Sequence, residues 1–449
     1  YATTRPGPHN SKGALKWNLG DNMDKTFLAG AAVVAILAIT GCGGSSSSGS
    51  SGGGPATRTA HFVDNAVTGL HYTCGSSSTK TTGEQGVLRC PDGATARFLI
   101  GDIELGEAVV NGNALFITPA DLAGDGADEN DNTVINISRF LISLDADQDL
   151  ANGIQIDPAS HLDLGLAIDF SLDPVAFETA IASALDMLTA DLPGGPYPLV
   201  AAADAQDHVI VALHLSNAGL YRGTVRHAGN ALTGMTFLVT RQGAAYGTNR
   251  STDGRYAATG FEESADWLNT SGQGEGFKID GTTAATHFIE ASMADGRASG
   301  SPDSGDYPRF EATRRLAFDP LYDQALAEDF AELLPLAIGI GENDDAPFVI
   351  QDTDDDLDGA PFGSRGSEGG VAGAPASSKE ENDLEFSDLI AAEIVETDGR
   401  TLRLMALSMS GYLVDATIDL SDAQPTVKAT WEHVHEGRRG TTQTFVPLP

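Results

Sequence analysis

Basic residues are scarce in this chain. Its 449 residues include 26 lysines and arginines against 63 aspartates and glutamates, a formal net charge of −37 at pH 7. Nucleic-acid-binding proteins carry a basic footprint, and adhesion to anionic lipid headgroups needs clustered lysine and arginine. The composition therefore argues against both kinds of binding. A strongly acidic, lysine-poor surface is typical of a protein that stays soluble in a salty external medium.

Long apolar runs are also scarce. The run from residue 27 to residue 40 has about 14 residues, fewer than the ~20 that a permanent membrane-spanning helix needs. It follows Met23 and Lys25 and ends in small residues, as in a secretory signal. The run therefore predicts export. We interpret the residues before Met23 as an upstream extension.

Catalytic motifs are missing as well. Outside the glycine–serine tract of residues 43–54, the chain contains no Gly-x-Ser-x-Gly, no His-Glu-x-x-His, no glycine-rich phosphate loop and no Cys-x-x-Cys, the arrangements that mark common hydrolases, metalloproteases and nucleotide-binding proteins. A dispersed set of aspartates and histidines stays open. The sequence favours a non-enzymatic binding, adhesion or structural module, and the alternative is an exported hydrolase with its site in the C-terminal β domain.

The segment Ile39-Thr40-Gly41-Cys42 resembles the lipobox of bacterial lipoproteins. In that family the cysteine thiol takes a diacylglyceryl group, the leader is cut before it, and the new amine is acylated. The resemblance implies that Cys42 is the first mature residue and carries acyl chains such as palmitate. It also implies a lipid anchor in the outer membrane of a Gram-negative cell, facing periplasm or cell surface, because Gly43 stands where inner-membrane lipoproteins often have aspartate.

The resemblance divides the first part of the chain. Residues 1–41 are then the upstream extension plus signal peptide, and residues 42–58 are a tether. Residues 43–54 are all glycine and serine, a flexible coil that spans about 20 Å. Counted from Cys42, the mature chain has 22 basic and 61 acidic residues, net −39.

Cysteine is rare, with three in the whole chain. Lipidation of Cys42 leaves Cys74 and Cys90 as an even pair in an exported protein, which predicts a disulfide. The bond would close a loop of about 15 residues, worth roughly 3 kcal/mol in the chain-entropy model.

Residues 59–197 form the predicted N-terminal module of β structure with helices. Val63 to Cys74 fits Val-Asp-x-x-Val-x-Gly-Leu-x-Tyr-x-Cys, and Phe98 to Gly106 fits Phe-x-Ile-Gly-x-Ile-x-Leu-Gly. These phrases resemble the opening module of many proteobacterial lipoproteins, which implies a small Ig-like or prealbumin-like β-sandwich and no particular reaction. Apolar spacing predicts one helix after Asp131 or Asn132, and another that starts at Asp173-Pro174.

Residues 198–449 form the predicted C-terminal β domain. Alternating or apolar runs separated by Gly-Asn and Asp-Gly turns predict a larger antiparallel barrel or sandwich, and His208 to Leu215 is the first of these strands. A third helix starts at Asp319-Pro320. We interpret residues 320–385 as a helical and acidic insertion, and the strands from residue 389 onward as completing the barrel. The whole chain is thus mainly β with a few helices.

Two acidic runs are candidate calcium sites, because calcium takes hard oxygen ligands that alternate along a tight loop. Asp354, Asp356 and Asp358 precede Gly359, but Arg365 stands where the loop would need a bidentate glutamate. Asp145, Asp147 and Asp149 alternate in the same way, and the competing interpretation of each run is a solvated acidic loop.

Two histidines form a further candidate. His433 and His435 would share one face of a strand and reach a metal with a third ligand, although exposed histidines are the simpler interpretation. Calcium is thus the one cofactor that the sequence suggests. The expected partners are the membrane, through the lipid anchor, and a protein or glycan ligand, with no nucleic acid.

Overall fold

The computed structural model describes most of the chain from residue 56 to residue 447. The described residues are 56–111, 115–254, 256–261, 268–280, 286–302, 308–321, 323–331, 333, 336–340, 346–350, 362–363, 372–373, 391–408, 411–422, 425–442 and 445–447. They form a mainly β fold with five α-helices, as the sequence predicts. None of these helices is long and apolar enough to span a bilayer.

The N-terminal module is sandwich-like. Its strands are β1 (Thr57–Phe62), β2 (Val67–Thr68), β3 (His71–Cys74), β4 (Lys80–Thr81), β5 (Val87–Pro91), β6 (Ala94–Ile100), β7 (Ile103–Val110), β8 (Phe116–Ile117) and β9 (Ile154–Gln155). A three-stranded sheet, β5-β1-β8, and a four-stranded sheet, β4-β3-β6-β7, share one apolar core, and β2 pairs with β9. Strands β6 and β7 are joined at Gly101, where the chain turns at φ 58°.

Four helices cover this module: α1 (Pro119–Ala123), α2 (Asn132–Ser143), α3 (Pro174–Thr189) and α4 (Ala202–Asn217). The predicted starts of α2 and α3 are confirmed, since the Asp131 and Asp173 carboxylates accept backbone N–H bonds from the first turn. Helix α1 was not predicted from the sequence. A capping box between Thr118 and Asp121 starts it, which satisfies backbone donors that a loop would leave to water.

Helix α4 overturns one prediction. The run from His208 to Leu215 was expected to be a strand, and it is helical. Ala205, Val209 and Ala212 are buried while Val211 is 60% exposed, which is helical spacing rather than alternation. The apolar, β-branched residues of this run concealed that period.

Eight strands then close a barrel. They are β10 (Gly219–Arg226), β11 (Leu232–Val239), β12 (Ala245–Arg250), β13 (Tyr256–Gly260), β14 (Gln273–Asp280), β15 (Thr286–Ala294), β16 (Arg297–Ser301) and β17 (Arg309–Leu316). Each strand pairs antiparallel with the next, and β17 pairs back onto β10. Buried aromatic rings fill the interior, where Phe237 stacks on Tyr221 at 5.2 Å and meets Phe277 edge-on.

The C-terminal strands do not complete this barrel, contrary to the sequence-based interpretation, because β10 and β17 already close it. After α5 (Gln324–Ala331) come β18 (Leu336–Ile340), β19 (Ala346–Ile350), β20 (Phe362–Gly363), β21 (Ala372–Gly373), β22 (Ala391–Asp398), β23 (Thr401–Leu407), β24 (Tyr412–Asp419), β25 (Thr426–His433), β26 (Arg439–Thr442) and β27 (Phe445–Pro447). Strand β20 and strands β22 to β26 form a six-stranded C-terminal sheet, and β21-β19-β18-β27 form a four-stranded one.

Helix α5 covers one face of the C-terminal sheet. Leu326 and Phe330 are buried in the core of that face. However, α5 begins at Gln324 rather than beside Pro320, and Asp323 accepts the N–H of Leu326.

The opposite face of the C-terminal sheet belongs to a shared core. Phe116 of the N-terminal module, Leu215 of α4, Leu220 and Leu238 of the barrel, and Leu413 of the C-terminal sheet lie in one buried cluster. The three parts are therefore packed against each other over apolar side chains.

Candidate functional site

Two of the predicted sites lie outside the described residues. These are the lipidation site, Cys42, and the acidic run with Asp354, Asp356 and Asp358. The predicted disulfide is present: Cys74 at the end of β3 bonds Cys90 in β5, and both residues are buried. It links the two sheets of the N-terminal module.

The acidic turn after α2 does not bring all three predicted carboxylates together. Asp145 is buried. Burial, opposed by the hydrogen bond from the Gln155 N–H and supplemented by Asp147, raises the pKa of Asp145 to about 6. Asp149 turns away and accepts the N–H of Ala151 at the start of a short 3₁₀ turn. In the described part of the chain, no group of three or more His, Cys, Asp or Glu side chains is placed to hold a metal.

Among the described residues, the two predicted histidines do not belong to a group of three or more side chains placed to hold a metal. The ring centroids of His433 and His435 are 6.3 Å apart, and the Tyr256 ring stacks on His435 at 5.0 Å. The Thr248 hydroxyl lies 3.1 Å from Nε2 of His435. Burial, together with His433, lowers the pKa of His435 to about 4. The pair therefore belongs to a neutral aromatic cluster between the barrel and the C-terminal sheet.

A buried carboxylate and a histidine form the closest approach to a catalytic pair. Asp64 is fully buried, and its Oδ1 lies 3.8 Å from Nδ1 of His208 on α4. Among the described residues, no hydroxyl or thiol makes a hydrogen bond with His208. The pair therefore lacks the nucleophile that acyl transfer needs.

One large cleft also lacks such a constellation. Its volume is about 730 Å³, and it lies between the N-terminal module, α4 and the barrel. Asp121 lines this cleft, and burial raises the pKa of its carboxyl group. The Asp121 carboxylate accepts the backbone N–H of Thr118 and so caps α1. Arg314 also lines it, and its guanidinium donates to the carbonyls of Ser216 and Ala218. Both charged groups therefore hold the fold together rather than face a substrate.

A different surface concentrates positive charge. Because successive side chains of a strand point to opposite faces, the buried Val225, Phe310 and Ala298 leave their neighbours on the outside of the barrel. The outer face of β10, β16 and β17 consequently carries five arginines, which we call the arginine face: Arg222, Arg226, Arg297, Arg309 and Arg315. A groove of about 520 Å³ runs across it.

Strand register sets the spacing of these arginines. Thr313 of β17 pairs with Arg222 on one side and Arg297 on the other, so the two arginines are about 10 Å apart at the backbone. Arg226 lies opposite Arg309, about 13 Å further along the strands than Arg222. The arginine face is therefore an elongated stripe rather than a point.

Within the part of the chain that the structure describes, three of these arginines have no partner. Arg226, Arg297 and Arg315 form no ion pair or hydrogen bond with the described residues, and all three are exposed. Arg222 differs, because it binds Glu432 through two hydrogen bonds of 3.2 and 2.8 Å, and these bonds lower the pKa of Glu432. Most other arginines of the described chain are paired with carboxylates, such as Arg403 with Asp415 and Arg400 with Asp329.

The groove also offers neutral hydrogen-bonding groups. Thr224, Ser299 and Thr313 line it, together with the carboxylate of Glu311. Guanidinium groups bind carboxylate, sulfate or phosphate in bidentate geometry, while hydroxyls and a carboxylate bind sugar hydroxyls. No aromatic side chain is among the lining residues, so recognition here rests on charge and hydrogen bonds.

No protein-family model, curated protein or solved structure matches this chain. The function is therefore argued from the geometry of the molecule itself.

The sequence analysis missed the arginine face. The even spacing between Arg222 and Arg226, and between Arg309 and Arg315, places each pair on one face of its strand. That signal was available, but the closure of β17 onto β10 was not. The total charge of the chain is strongly negative, and it does not reveal a local basic surface.

Proposed function

We propose that this protein is a non-enzymatic outer-membrane lipoprotein, anchored through Cys42, that binds an anionic polysaccharide along the arginine face. The observation that carries the binding function is the clustering of three unpaired arginines in a chain of net charge −37. The chain has more than enough carboxylates to pair with every lysine and arginine. Arginines that have no such partner are therefore available to bind an external anion.

Electrostatics favours an extended ligand over a small one. The body of the protein repels polyanions, and at physiological ionic strength that repulsion is screened over about 8 Å. Within this distance the stripe dominates the local field. Hydrogen bonds to charged groups contribute roughly 1.5–3 kcal/mol each, so several guanidiniums spaced 10–13 Å apart hold a chain with repeating charges more firmly than a single phosphate.

A polysaccharide fits the groove better than a lipid surface does. Hydroxyl groups and Glu311 lie between the arginine positions, where a sugar ring places its own hydroxyls. The groove therefore supports a sulfated or uronic-acid-containing glycan.

The anchor is tested separately from the ligand. Cells that express the full chain are fed an alkyne analogue of palmitate, and the protein is isolated and probed for the label. We expect labelling of the wild type and none of Cys42→Ala, which should leave the membrane fraction. Equal labelling of the two proteins would reject the anchor and leave the binding function standing.

Ligand binding is tested on the purified mature chain. The probes are heparin as the sulfated chain, polygalacturonate as the carboxylated chain and dextran as the neutral one. The test variant replaces Arg226, Arg297 and Arg315 with glutamine. Arg89→Gln is the matched control, since Arg89 is exposed and also makes no side-chain ion pair with the described residues, but lies on the N-terminal module.

We expect salt-sensitive binding of at least one anionic chain and none of dextran. The triple variant should bind at least tenfold more weakly, a loss of about 1.4 kcal/mol, while Arg89→Gln binds like the wild type. Equal weakening by the control would show that only total charge matters. Competition by anionic vesicles but not by polysaccharide would replace the glycan with a membrane surface.

A further inference from the structure

Side chains on the arginine face form rows that run across its strands. The strand register places three residues in the first row: Arg222, Thr313 and Arg297. The second row, two residues along each strand, holds Thr224, Glu311 and Ser299. The third row holds Arg226 and Arg309. The rows lie about 7 Å apart, so a row of two hydroxyls and one carboxylate separates two rows that contain arginines.

Glu311 is the unusual member of the second row. Its side chain is exposed and makes no ion pair or hydrogen bond with the described residues, although arginines lie in the rows on both sides. A glutamate that served to neutralise these arginines would pair with one of them, as Glu432 does with Arg222. Glu311 therefore keeps a carboxylate in the groove, where it repels the charged groups of a uniformly anionic ligand.

A second such carboxylate lies on the other side of Arg297. Asp295 is in the two-residue turn between β15 and β16, and it is exposed without an ion pair or hydrogen bond to the described residues. Arg314 attracts it from beyond ion-pair distance. Asp295 lines a cleft of about 660 Å³ that shares Arg297 and Ser299 with the groove. A bound chain that crosses Arg297 therefore meets a carboxylate before it and another after it.

We propose that the arginine face selects a polysaccharide in which anionic sugars alternate with neutral ones, and that Glu311 and Asp295 set this preference. The inference rests on the proposed binding along the arginine face. Guanidinium groups bind the carboxylate or sulfate of each anionic sugar, and the intervening carboxylates accept hydrogen bonds from the hydroxyls of neutral sugars. A chain with a charge on every sugar places an anion beside Glu311, within the ~8 Å over which their repulsion is poorly screened.

The test compares polysaccharides that differ in the spacing of their charges. In hyaluronan, glucuronate alternates with a neutral N-acetylated sugar, whereas heparin and polygalacturonate carry a charge on nearly every sugar. Dissociation constants for the three polysaccharides, cut to matched length, are measured with the purified mature protein at low ionic strength, where electrostatic differences are largest.

The main test variant is Glu311→Gln, which keeps the shape of the side chain and removes its charge. We expect it to bind hyaluronan about threefold more weakly, because the sugar hydroxyls lose a charged acceptor. It should bind heparin about threefold more tightly, because one like charge is removed. The ratio of the two dissociation constants should therefore change about tenfold. Asp295→Asn should change the ratio in the same direction, since Asp295 has φ 50° and asparagine suits such a turn as well as aspartate does.

Glu275→Gln is the matched control. Glu275 is also an exposed strand residue of the barrel without a partner among the described residues, but its strand, β14, is three strands away from β17. The control removes the same charge far from the groove, so we expect its ratio of dissociation constants to equal that of the wild type.

The possible results separate the selectivity from the binding itself. An equal change of the ratio in Glu275→Gln, or an unchanged ratio in Glu311→Gln or in Asp295→Asn, would overturn the selectivity. The proposed function would still stand in that case if the triple arginine variant loses binding. A wild type that binds none of the three polysaccharides would overturn the proposed function and this inference with it.

Discussion

The buried ion pair between the barrel and the C-terminal sheet should weaken the protein at neutral pH. Glu393 of β22 is 1% exposed, and its Oε1 lies 3.6 Å from Nε of Arg241, in the turn between β11 and β12. Arg241 donates its terminal nitrogens to the carbonyls of Asp319 and Ile394. Neither carboxylate oxygen of Glu393 accepts a hydrogen bond from the described residues. Burial raises the pKa of Glu393 to about 7, although Arg241 opposes the shift.

The direction of the pH effect follows from proton binding. Folded Glu393 keeps its proton up to about pH 7, whereas the unfolded side chain releases it near its ordinary pKa of 4.5. Between these values the folded state binds more protons, so its stability falls as the pH rises. From pH 5.5 to pH 8.5 the wild type crosses about 1.5 pH units of that range, at 1.36 kcal/mol per unit, and loses about 2 kcal/mol.

We therefore predict that Glu393→Gln gains about 2 kcal/mol relative to the wild type between pH 5.5 and pH 8.5, because glutamine has the shape of the protonated form. The measurement is the free energy of unfolding in urea at several pH values, taken as the difference between the two proteins. This difference removes the other titrating groups. The range stays above the sequence pI of about 4.3.

Glu432→Gln is the control, since Arg222 lowers the pKa of Glu432 and both proteins then keep a constant charge at this position over the same range. Its difference from the wild type should be flat. The reasoning is refuted if Glu393→Gln is less stable than the wild type by 3–5 kcal/mol at every pH, the cost expected when an essential buried pair is broken.

Three further predictions concern stability. Replacing Cys74 and Cys90 with serine should lower the free energy of unfolding by about 3 kcal/mol for the enclosed loop, and a loss below 1 kcal/mol would contradict that role. Phe237→Ala should cost roughly 3–5 kcal/mol, since Phe237 is buried between aromatic rings in the barrel; an unchanged urea midpoint would mean the interior is not packed as described. Asp131→Ala should cost about 1 kcal/mol through the lost cap of α2, and Asp131→Asn should restore most of it.

The sequence predicted those helices and bonds that depend on residues close together in the chain. Helices α2 and α3 follow an aspartate cap and an apolar stripe, and Phe177, Ile181 and Leu185 of α3 are buried. The disulfide followed from counting cysteines. Helix α4 was missed because the three consecutive residues from Val209 to Val211 are all apolar and β-branched. Such a run does not distinguish the buried positions of a helix from those of a strand.

Long-range pairing could not be predicted from the sequence. The strands after residue 389 could join the barrel only if the second edge of β10 were open to them. That edge pairs with β17 instead. The arginine face depended on the same event, since Arg222 and Arg297 are neighbours only through Thr313. The alternation of Asp145, Asp147 and Asp149 did not lead to a common site, because the Asp149 carboxylate accepts the N–H of Ala151 instead.

The shared core of Phe116, Leu220 and Leu413 has a mechanical consequence. A force that pulls the N-terminal module away from the barrel acts directly on this apolar contact, because the shared core joins the two parts. Separating them would expose buried side chains from the C-terminal sheet as well, so resistance to force draws on all three parts together. If the protein is held at one end and pulled at the barrel, the three parts should therefore unfold together in one cooperative step.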